Sequence, residues 1–163
     1  MHRDITLQMA DGTEKAVSFI ANGATALRFR MIFGRELVSS ITNIFNAIGA
    51  ENVNGLMQTV NSLQAEGQEE MGLEDLTPEQ MSALFAIVGS GEMNTISQLA
   101  YIMNASAEHK DMWSLDLESY LDWLEQFETM EFLTHAMDII MLYMNNRATS
   151  SVAKKKEDRL IDR

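Results

Sequence analysis

Polar and apolar residues alternate at the start of the chain, in the segment DITLQMADGTEKAVSFI. The Asp11-Gly12 pair in its centre favours a tight hairpin turn. The apolar positions on either side are Ile5, Leu7, Met9, Ala16 or Val17, and Phe19. Two strands alone are at best marginally stable in water. The pattern therefore predicts an antiparallel hairpin that packs on the helices that follow it.

The spacing of apolar residues becomes helical after the hairpin, in ALRFRMIF. Thr25 is the expected N-cap of this short helix, and Gly34 is expected to end it in a left-handed conformation. The residues predicted to face the core are Leu27, Met31 and Phe33.

A second amphipathic helix is predicted in RELVSSITNIFNAIG, where Gly49 is expected to end it. Its apolar positions are Leu37, Ile41, Ile44, Phe45 and Ile48. Residues 50–76 are rich in Asn, Gln, Gly and Glu. This composition predicts one weak helix over Val53–Leu63 and then a flexible linker over Gly67–Gly72.

The clearest start of a helix is at Thr77 and Pro78, with Gln80 placed to complete a capping box. Gly89 and Gly91 interrupt that helix, so VGSGEMN is interpreted as a helix junction. This segment lacks the Lys-Ser/Thr ending of a phosphate-binding loop. The next helix has its apolar positions at Met93, Ile96, Leu99 or Ala100, and Met103.

The last apolar segment, LDLESYLDWLEQFETMEFLTHAMDIIMLYMNN, predicts the strongest helices, with a break near Thr129. Its expected core positions are Leu117, Leu121, Leu124, Phe127, Phe132, Leu133, Ala136, Ile139, Ile140 and Tyr143. Burial of a large apolar side chain contributes about 1.5–3 kcal/mol, so this segment is predicted to be core or interface. The whole pattern predicts a mainly α protein. It also predicts that residues 1–146 form a single helical domain with a small N-terminal β-hairpin and a flexible segment at 50–76, and that a basic, disordered tail follows at 147–163.

Charge is strongly segregated along the 163 residues, which include 24 acidic and 12 basic side chains. From Glu36 to Asn146 there are 18 acidic residues and one basic residue, Lys110. Residues 147–163 hold six basic and three acidic residues. Because nucleic-acid binding needs a dense cationic surface, the acidic body argues against direct nucleic-acid binding.

Cysteine is absent, which excludes disulfides and cysteine-ligated zinc and is typical of a reducing compartment. No segment approaches the roughly 18 apolar residues of a membrane span, and the polar N-terminus has no apolar leader. The sequence therefore predicts an unexported protein that does not insert into a membrane.

Candidate catalytic and metal-binding groups are sparse. The histidines are His2, His109 and His135, and only His135 has carboxylates at helical spacing, Glu131 and Asp138. A di-metal helical bundle needs Glu-x-x-His pairs on two helices, and neither the spacing nor a second copy is present. The acidic residues that share another helix face, interpreted as solvated surface, are Glu118, Asp122 and Glu125. We expect no metal, no cofactor and no enzymatic activity.

Thirteen methionines are present. Those in or beside the last helices are Met93, Met103, Met112, Met130, Met137, Met141 and Met144. Flexible thioether chains can fill a core or adapt to several partner shapes. Two interpretations therefore stay open: ordinary core filling, and a surface that packs against another chain.

The stretch FIANGATALRFRMIFGREL concentrates Arg28, Arg30 and Arg35 beside Phe29 and Phe33. Guanidinium groups next to aromatic rings suit carboxylate-rich partners, and the nearest such surface is a second copy of the chain. Head-to-tail contacts of that kind generate rings or open helices. Pairing within the chain, with Glu36 and nearby acids, is an equal alternative. The candidate partner-binding or self-association residues are Arg28, Phe29, Arg30, Phe33, Arg35, Trp123, Phe127, Met137, Met141, Tyr143 and Met144.

The same stretch resembles the N-terminal signature of tail assembly chaperones from long-tailed (siphovirus-like) phages and prophages of Gram-positive bacteria. The shared pattern is an aromatic residue, small residues and Thr, a basic-aromatic-basic triplet, and Phe-Gly-basic-acidic-Leu. LESYLDWLEQFETMEF, followed by IIMLYMNN, resembles the C-terminal helix pair of that family. The resemblance covers roughly residues 3–48 and 113–156.

The resemblance implies a non-enzymatic assembly factor in the cytoplasm of the host bacterium. Such a protein coats the tape measure protein, helps to recruit subunits of the tail tube (the major tail protein), and is absent from the mature virion. It also implies a longer product made by programmed frameshifting, which would recruit the tube subunits. The lysine run Lys154–Lys156 is compatible with a slippery adenine run in the message. The alternative is a small acidic helical adaptor or regulatory protein-binding module.

Overall fold

The computed structural model describes residues 1–49, 54–55 and 77–145. An antiparallel hairpin comes first, with strands β1 (His2–Gln8) and β2 (Glu14–Ile20). The helices that follow are α1 (Thr25–Phe33), α2 (Leu37–Ile48), α3 (Pro78–Gly89), α4 (Met93–Ala107), α5 (Leu117–Leu124), α6 (Glu131–Thr134) and α7 (residues 136–145), with a 3₁₀ turn at Met112–Ser114. This architecture confirms the predicted mainly α fold with a small N-terminal hairpin.

The hairpin forms where the alternation of residues predicted it. Ile5 pairs with Val17, and the Asp11 carboxylate accepts hydrogen bonds from the backbone N–H (2.9 Å) and hydroxyl (2.6 Å) of Thr13. Gly12 takes the left-handed conformation, with φ 85°. Val17 is buried and Ala16 is exposed, which decides between the two predicted positions. The inward face of the hairpin therefore packs on helices, as two strands in water require.

Helix α4 is the centre of the fold, because it contacts β2, α1, α2, α5 and α6. Between Thr95 and Ser106 every residue except Gln98 is buried. Of the predicted apolar stripe of α4, Met93 is only partly buried, whereas the other positions are buried, and they are Ile96, Leu99, Ala100 and Met103. The helix also buries its other faces because neighbours surround it. Polar side chains there bond to those neighbours: the Asn104 amide donates to the Ser18 carbonyl of β2 at 3.0 Å.

Helix α1 turns a different face inward from the one predicted. Leu27 and Met31 are 56% and 57% exposed, whereas Phe29 is fully buried. The Phe29 ring lies 5.2 Å from the ring of Phe33, which in turn lies 5.2 Å from the ring of Tyr120. Aromatic rings bury more area than aliphatic chains and gain from edge-to-face contact. The prediction for Leu27 and Met31 was therefore wrong, and that for Phe33, which packs on the core, was confirmed.

The ends of α1 give one confirmed prediction and one correction. Gly34 has φ 68° and its N–H bonds to the Arg30 carbonyl at 2.9 Å, as expected of a left-handed C-terminus. Thr25 is the first helical residue and not the N-cap, which is Ala24 without a side-chain cap bond. The buried Thr25 hydroxyl instead accepts from the Asn22 N–H at 3.0 Å, because it closes the turn that enters the helix.

Helix α2 buries the predicted aliphatic positions and ends at Gly49. Helix α3 begins at Pro78 as predicted, whereas the side chain of Gln80 and hence the capping box lie outside the described part. The helix junction is confirmed, since α3 ends at Gly89 and Gly91 has φ 78° before α4 starts. The predictions for the segment 50–76, apart from the helical residues 54–55, and for the tail 147–163 lie outside the described residues.

Helix α5 also differs from the prediction. Leu117 and Leu121 are 56% and 47% exposed, while Tyr120 and Trp123 are buried. The Tyr120 hydroxyl lies 2.7 Å from the Ser97 hydroxyl, and the Trp123 indole N–H donates to Asn104 at 3.0 Å. These bonds let two large rings enter the core with their polar atoms satisfied. The inward positions assigned to Leu117 and Leu121 were therefore wrong.

The predicted break near Thr129 is confirmed by Met130, which adopts φ 75° immediately before α6. The apolar positions beyond it are buried as predicted, and they are Phe132, Leu133, Ala136, Ile139, Ile140 and Tyr143.

Candidate functional site

Arg35, in the turn between α1 and α2, lies at the centre of a polar network that joins α1, α2 and α4. Its guanidinium contacts the Glu92 carboxylate at 3.3 Å, donates to the Thr95 hydroxyl at 3.3 Å and bonds to the Gln98 amide oxygen. It also stacks on the Phe29 ring at 5.8 Å. Arg35 is therefore paired with residues of its own chain.

Glu92 receives bonds from three residues in this network. The Thr95 hydroxyl donates to it at 2.6 Å and the Asn43 amide at 3.1 Å, in addition to Arg35. Burial raises the pKa of Glu92, but these hydrogen bonds and the charge of Arg35 outweigh burial, so the pKa lies below its usual value.

The two arginines of α1 also have partners inside the chain. Arg28 donates to the Ser106 hydroxyl of α4 at 2.8 Å. Arg30 pairs with Glu36 at 3.2 Å, and both side chains are mostly exposed. Of the two interpretations of the arginine cluster, the described contacts are those of intramolecular pairing.

The aromatic residues singled out as contact candidates form a continuous buried row. Trp123 lies between Phe127 (4.8 Å between ring centroids), Phe132 (5.1 Å) and Tyr101 (5.5 Å). Phe29 and Phe33 extend the row through Tyr120. Apart from Phe33, which is only partly buried, these rings can contact another chain only if the fold opens.

The C-terminal candidates are also largely inside the fold. Met137, Met141 and Tyr143 are buried, and Met144 is partly buried against the core. Of the other methionines considered, Met103 is buried and Met130 is exposed. In the described chain, core filling accounts for most of the methionine enrichment in α7.

A buried charged cluster joins the hairpin to the last helices. Arg3 pairs with Asp138 at 2.8 Å, and the Asp138 carboxylate lies 3.8 Å from His135 Nδ1. Glu131 lies 3.2 Å from His135 Nε2 and accepts the backbone N–H of Gln8 at 2.9 Å. The helical spacing predicted that His135 and the two carboxylates share a face, but it did not reveal that strand β1 covers that face.

Histidine and carboxylates together raise the question of a metal. Within residues 1–49 and 77–145, no group of His, Asp or Glu side chains is arranged to hold a metal ion. In the charged cluster, Arg3 occupies the side from which Asp138 would bind a cation. The geometry is therefore that of a structural ion pair with a histidine beside it.

The turn between α5 and α6 forms one wall of an apolar cleft. Two backbone hydrogen bonds to the end of the hairpin hold this turn, Ala10 N–H to Gln126 O (2.9 Å) and Glu128 N–H to Gln8 O (2.9 Å), and together they form an antiparallel bridge between Met9 and Phe127. Asp116 fixes the start of α5 by accepting the Ser119 N–H at 2.7 Å. Hydrogen bonds therefore fix both the start of α5 and the turn that follows α5 beside the cleft.

The cleft has a volume of about 460 Å³. Its apolar lining comes from α4, α5 and α6 and from the turn, chiefly Met93, Leu121, Leu124, Met130 and Leu133. Its charged lining residues are Glu125 and Glu128, and both are exposed. Sequence reasoning missed this site because Leu121 was assigned to the core.

Comparison of the chain with protein-family models, curated proteins and solved structures finds no match. None of the helices within the described ranges is long and apolar enough to cross a membrane.

Proposed function

We propose that this chain is a non-enzymatic tail assembly chaperone of a long-tailed phage or prophage, in its short, non-frameshifted form. It coats the tape measure protein in the host cytoplasm, and it helps to recruit tail tube subunits through a longer frameshift product. It leaves before the virion matures.

The observation that carries this proposal is the meeting of the two segments that resemble the chaperone family. They are distant in the sequence, yet α1 from the first and α5 from the second both pack on α4. The bonds that join them to α4 are Arg28 to Ser106 and Trp123 to Asn104. Two matching segments in one core support a common fold better than two separate motifs would.

The distribution of exposed residues supports a role in protein binding. Large apolar side chains lie on the outer faces of helices: Leu27, Met31, Phe85, Trp113, Leu117 and Leu121. Exposed apolar surface is common on proteins, but contiguous patches mark interaction sites. Since the rings of the row around Trp123 are buried, the proposed coat uses these outer residues and not that row.

Genetics provides the decisive test. Deletion of the gene from the phage is expected to leave capsids without tails, and plasmid-borne expression is expected to restore them. Co-expression with the tape measure protein of the same genome should give a co-purifying complex, and purified virions should lack peptides of this chain. Normal tails in the deletion strain would refute the proposal.

The frameshift product has its own test in the nucleotide sequence. A slippery heptamer near codons 150–160 and an overlapping reading frame are expected. Their absence would remove the longer product from the proposal and leave the chaperone role to the short form.

A second candidate function, a small acidic adaptor or regulatory binding module, is favoured by the intramolecular pairing of the three clustered arginines. Arg28, Arg30 and Arg35 each have a partner within the chain, which weakens the case for head-to-tail docking through them. Light scattering separates the two candidates. Rings or filaments are expected of the chaperone, whereas a monomer or dimer is expected of the adaptor.

A further inference from the structure

The apolar cleft between α4 and α5 continues onto an exposed apolar face. Leu121 lines the cleft, and Leu117 lies one turn before it on the outer side of α5. Trp113 precedes the helix and is 90% exposed. Leu117 and Leu121 are four residues apart and lie on one face of α5, so the apolar surface of the cleft extends about one turn along the outer side of that helix.

The charges around this strip have a single sign. Glu125 and Glu128 line the cleft, and Glu118 and Asp122 are exposed on the same helix. None of these four carboxylates forms an ion pair within the described part of the chain. The sequence contains no lysine or arginine between Lys110 and Arg147. Within the described residues, therefore, no basic side chain neutralises this rim.

We propose that this cleft, which we call the acidic cleft, binds an amphipathic helix of a partner protein, one that carries Lys or Arg beside its apolar face. This inference rests on the proposed function, because it names the surface and the chemistry by which the chain holds its partner. In a common mode of peptide recognition, an amphipathic helix places apolar side chains at helical spacing into an apolar groove. The volume of about 460 Å³ accommodates a few large side chains of such a helix.

Complementary charge should speed the association of the partner helix with the cleft and orient that helix. Acidic residues at the rim attract a basic helix over a distance and orient it before the apolar side chains make contact. Salt screens exposed charges, so affinity should decline as ionic strength rises. A helix with acidic flanks and the same apolar face should be repelled.

Two synthetic peptides of equal length test the proposal by fluorescence anisotropy with the full chain. Both carry the same leucine and phenylalanine positions on one helix face, and one has Lys and Arg flanks whereas the other has Glu flanks. The basic peptide is expected to bind at least about tenfold more tightly, which corresponds to about 1.4 kcal/mol. Equal binding of the two peptides, or binding of neither, would overturn the proposal.

A matched pair of variants localises the binding. Leu121→Gln lies in the cleft and Val38→Gln lies on α2, and the two side chains are equally exposed, at 47% each. Leu121→Gln should weaken binding of the basic peptide by about tenfold or more, and Val38→Gln should leave that binding unchanged. If both variants lower the affinity for the basic peptide equally, the peptide binds to the acidic surface in general and the cleft is not its site.

Other occupants give different results in the same experiment. If Leu121→Gln dissociates an oligomer seen by light scattering and does not affect the peptide, the cleft is covered by a second copy of the chain and the inference is wrong. If an apolar dye binds in a manner that depends on Leu121 and neither peptide binds, the occupant is a small molecule and the inference is also wrong.

Failure of this inference differs from failure of the proposed function. A chain that co-purifies with the tape measure protein, and whose Leu121→Gln variant does so equally well, retains the function and loses the cleft as its site. A chain that binds the basic peptide through Leu121, but whose gene is dispensable for tails, retains the cleft and loses the function.

Discussion

The acidic side chains of this protein occupy two contrasting environments. Beside the hairpin, Glu131 and Asp138 are buried and are held by Arg3, His135 and the Gln8 backbone. Around the acidic cleft, the carboxylates are exposed and form no ion pair in the described part of the chain; they are Glu118, Asp122, Glu125 and Glu128.

This difference shows that acidic residues have two separate roles in the protein. A buried carboxylate must have a partner, since an unpaired charge in the interior is very costly. An exposed carboxylate is solvated by water and contributes little to stability, so it stays available to a partner molecule. The same residue type therefore fixes the fold in one region and presents charge in the other.

The largest expected effect on stability comes from Arg3. Arg3→Met leaves Asp138 buried without its cation, and should lower the free energy of unfolding by about 3–5 kcal/mol in urea denaturation. The Arg3→Met/Asp138→Leu double variant removes both charges and should recover much of that loss. If Arg3→Met lowers the free energy of unfolding by less than about 1 kcal/mol, the buried ion pair contributes no more than an exposed one, and the two environments do not differ in their effect on stability.

The network around Glu92 should give an intermediate effect. Arg35→Ala removes the ion pair, two other hydrogen bonds and the contact with Phe29. Since the Arg35 side chain is 38% exposed, solvent screens part of the pair, and about 1–2 kcal/mol is expected in the same urea assay. Arg30→Ala serves as the reference for an exposed arginine.

Glu92 should also make part of the stability depend on pH. Its pKa is lowered in the folded state, so its stabilising contribution is fully present above the ordinary glutamate value of 4.5 and is lost as the pH falls through the lowered value. The stability difference between the wild-type chain and Glu92→Gln should therefore be greatest near neutral pH and shrink in acid. A difference that grows below pH 4.5 would contradict the lowered pKa.

A small effect is expected from Arg30. Both partners of its pair with Glu36 are mostly exposed. Arg30→Ala should change the free energy of unfolding by no more than about 0.5 kcal/mol, measured in the same urea series. A larger loss would show that exposed pairs on α1 also support the fold.

The smallest effect on stability is expected at the acidic cleft. The free energy of unfolding of the Glu125→Lys/Glu128→Lys double variant should lie within about 0.5 kcal/mol of that of the wild-type chain, because neither side chain forms an ion pair in the described part of the chain. Its affinity for the basic peptide should nevertheless fall by about tenfold or more. Unfolding at a much lower urea concentration would place these residues with the buried carboxylates instead.

The sequence by itself determined where elements begin, end and turn. Asp11-Gly12 specified the hairpin, Gly34, Gly49 and Gly89 to Gly91 specified ends of helices, and a break near Thr129 separated α5 from α6. These signals are local, because each depends on the backbone conformations that a few adjacent residues allow. The segregation of acidic and basic residues was equally visible in the sequence.

Only the tertiary structure decided which side of α1 and α5 faces inward. Each helix has aliphatic residues on one side and aromatic residues on another, so spacing alone permitted either choice. Trp123 packs against Tyr101 of α4, and Phe29 packs against Phe33, whose ring contacts Tyr120 of α5. The rings therefore occupy the interior, and Leu27 and Leu121 are exposed. The acidic cleft exists as a consequence of that choice.

The same limit applies to the charged cluster. Helical spacing placed Glu131, His135 and Asp138 on one face, whereas Arg3 comes from the opposite end of the chain. Spacing within a helix is a property of neighbouring residues. The arrival of a strand on that face depends on the packing of the whole chain, in which burial of the inward side of β1 carries Arg3 to the buried carboxylate.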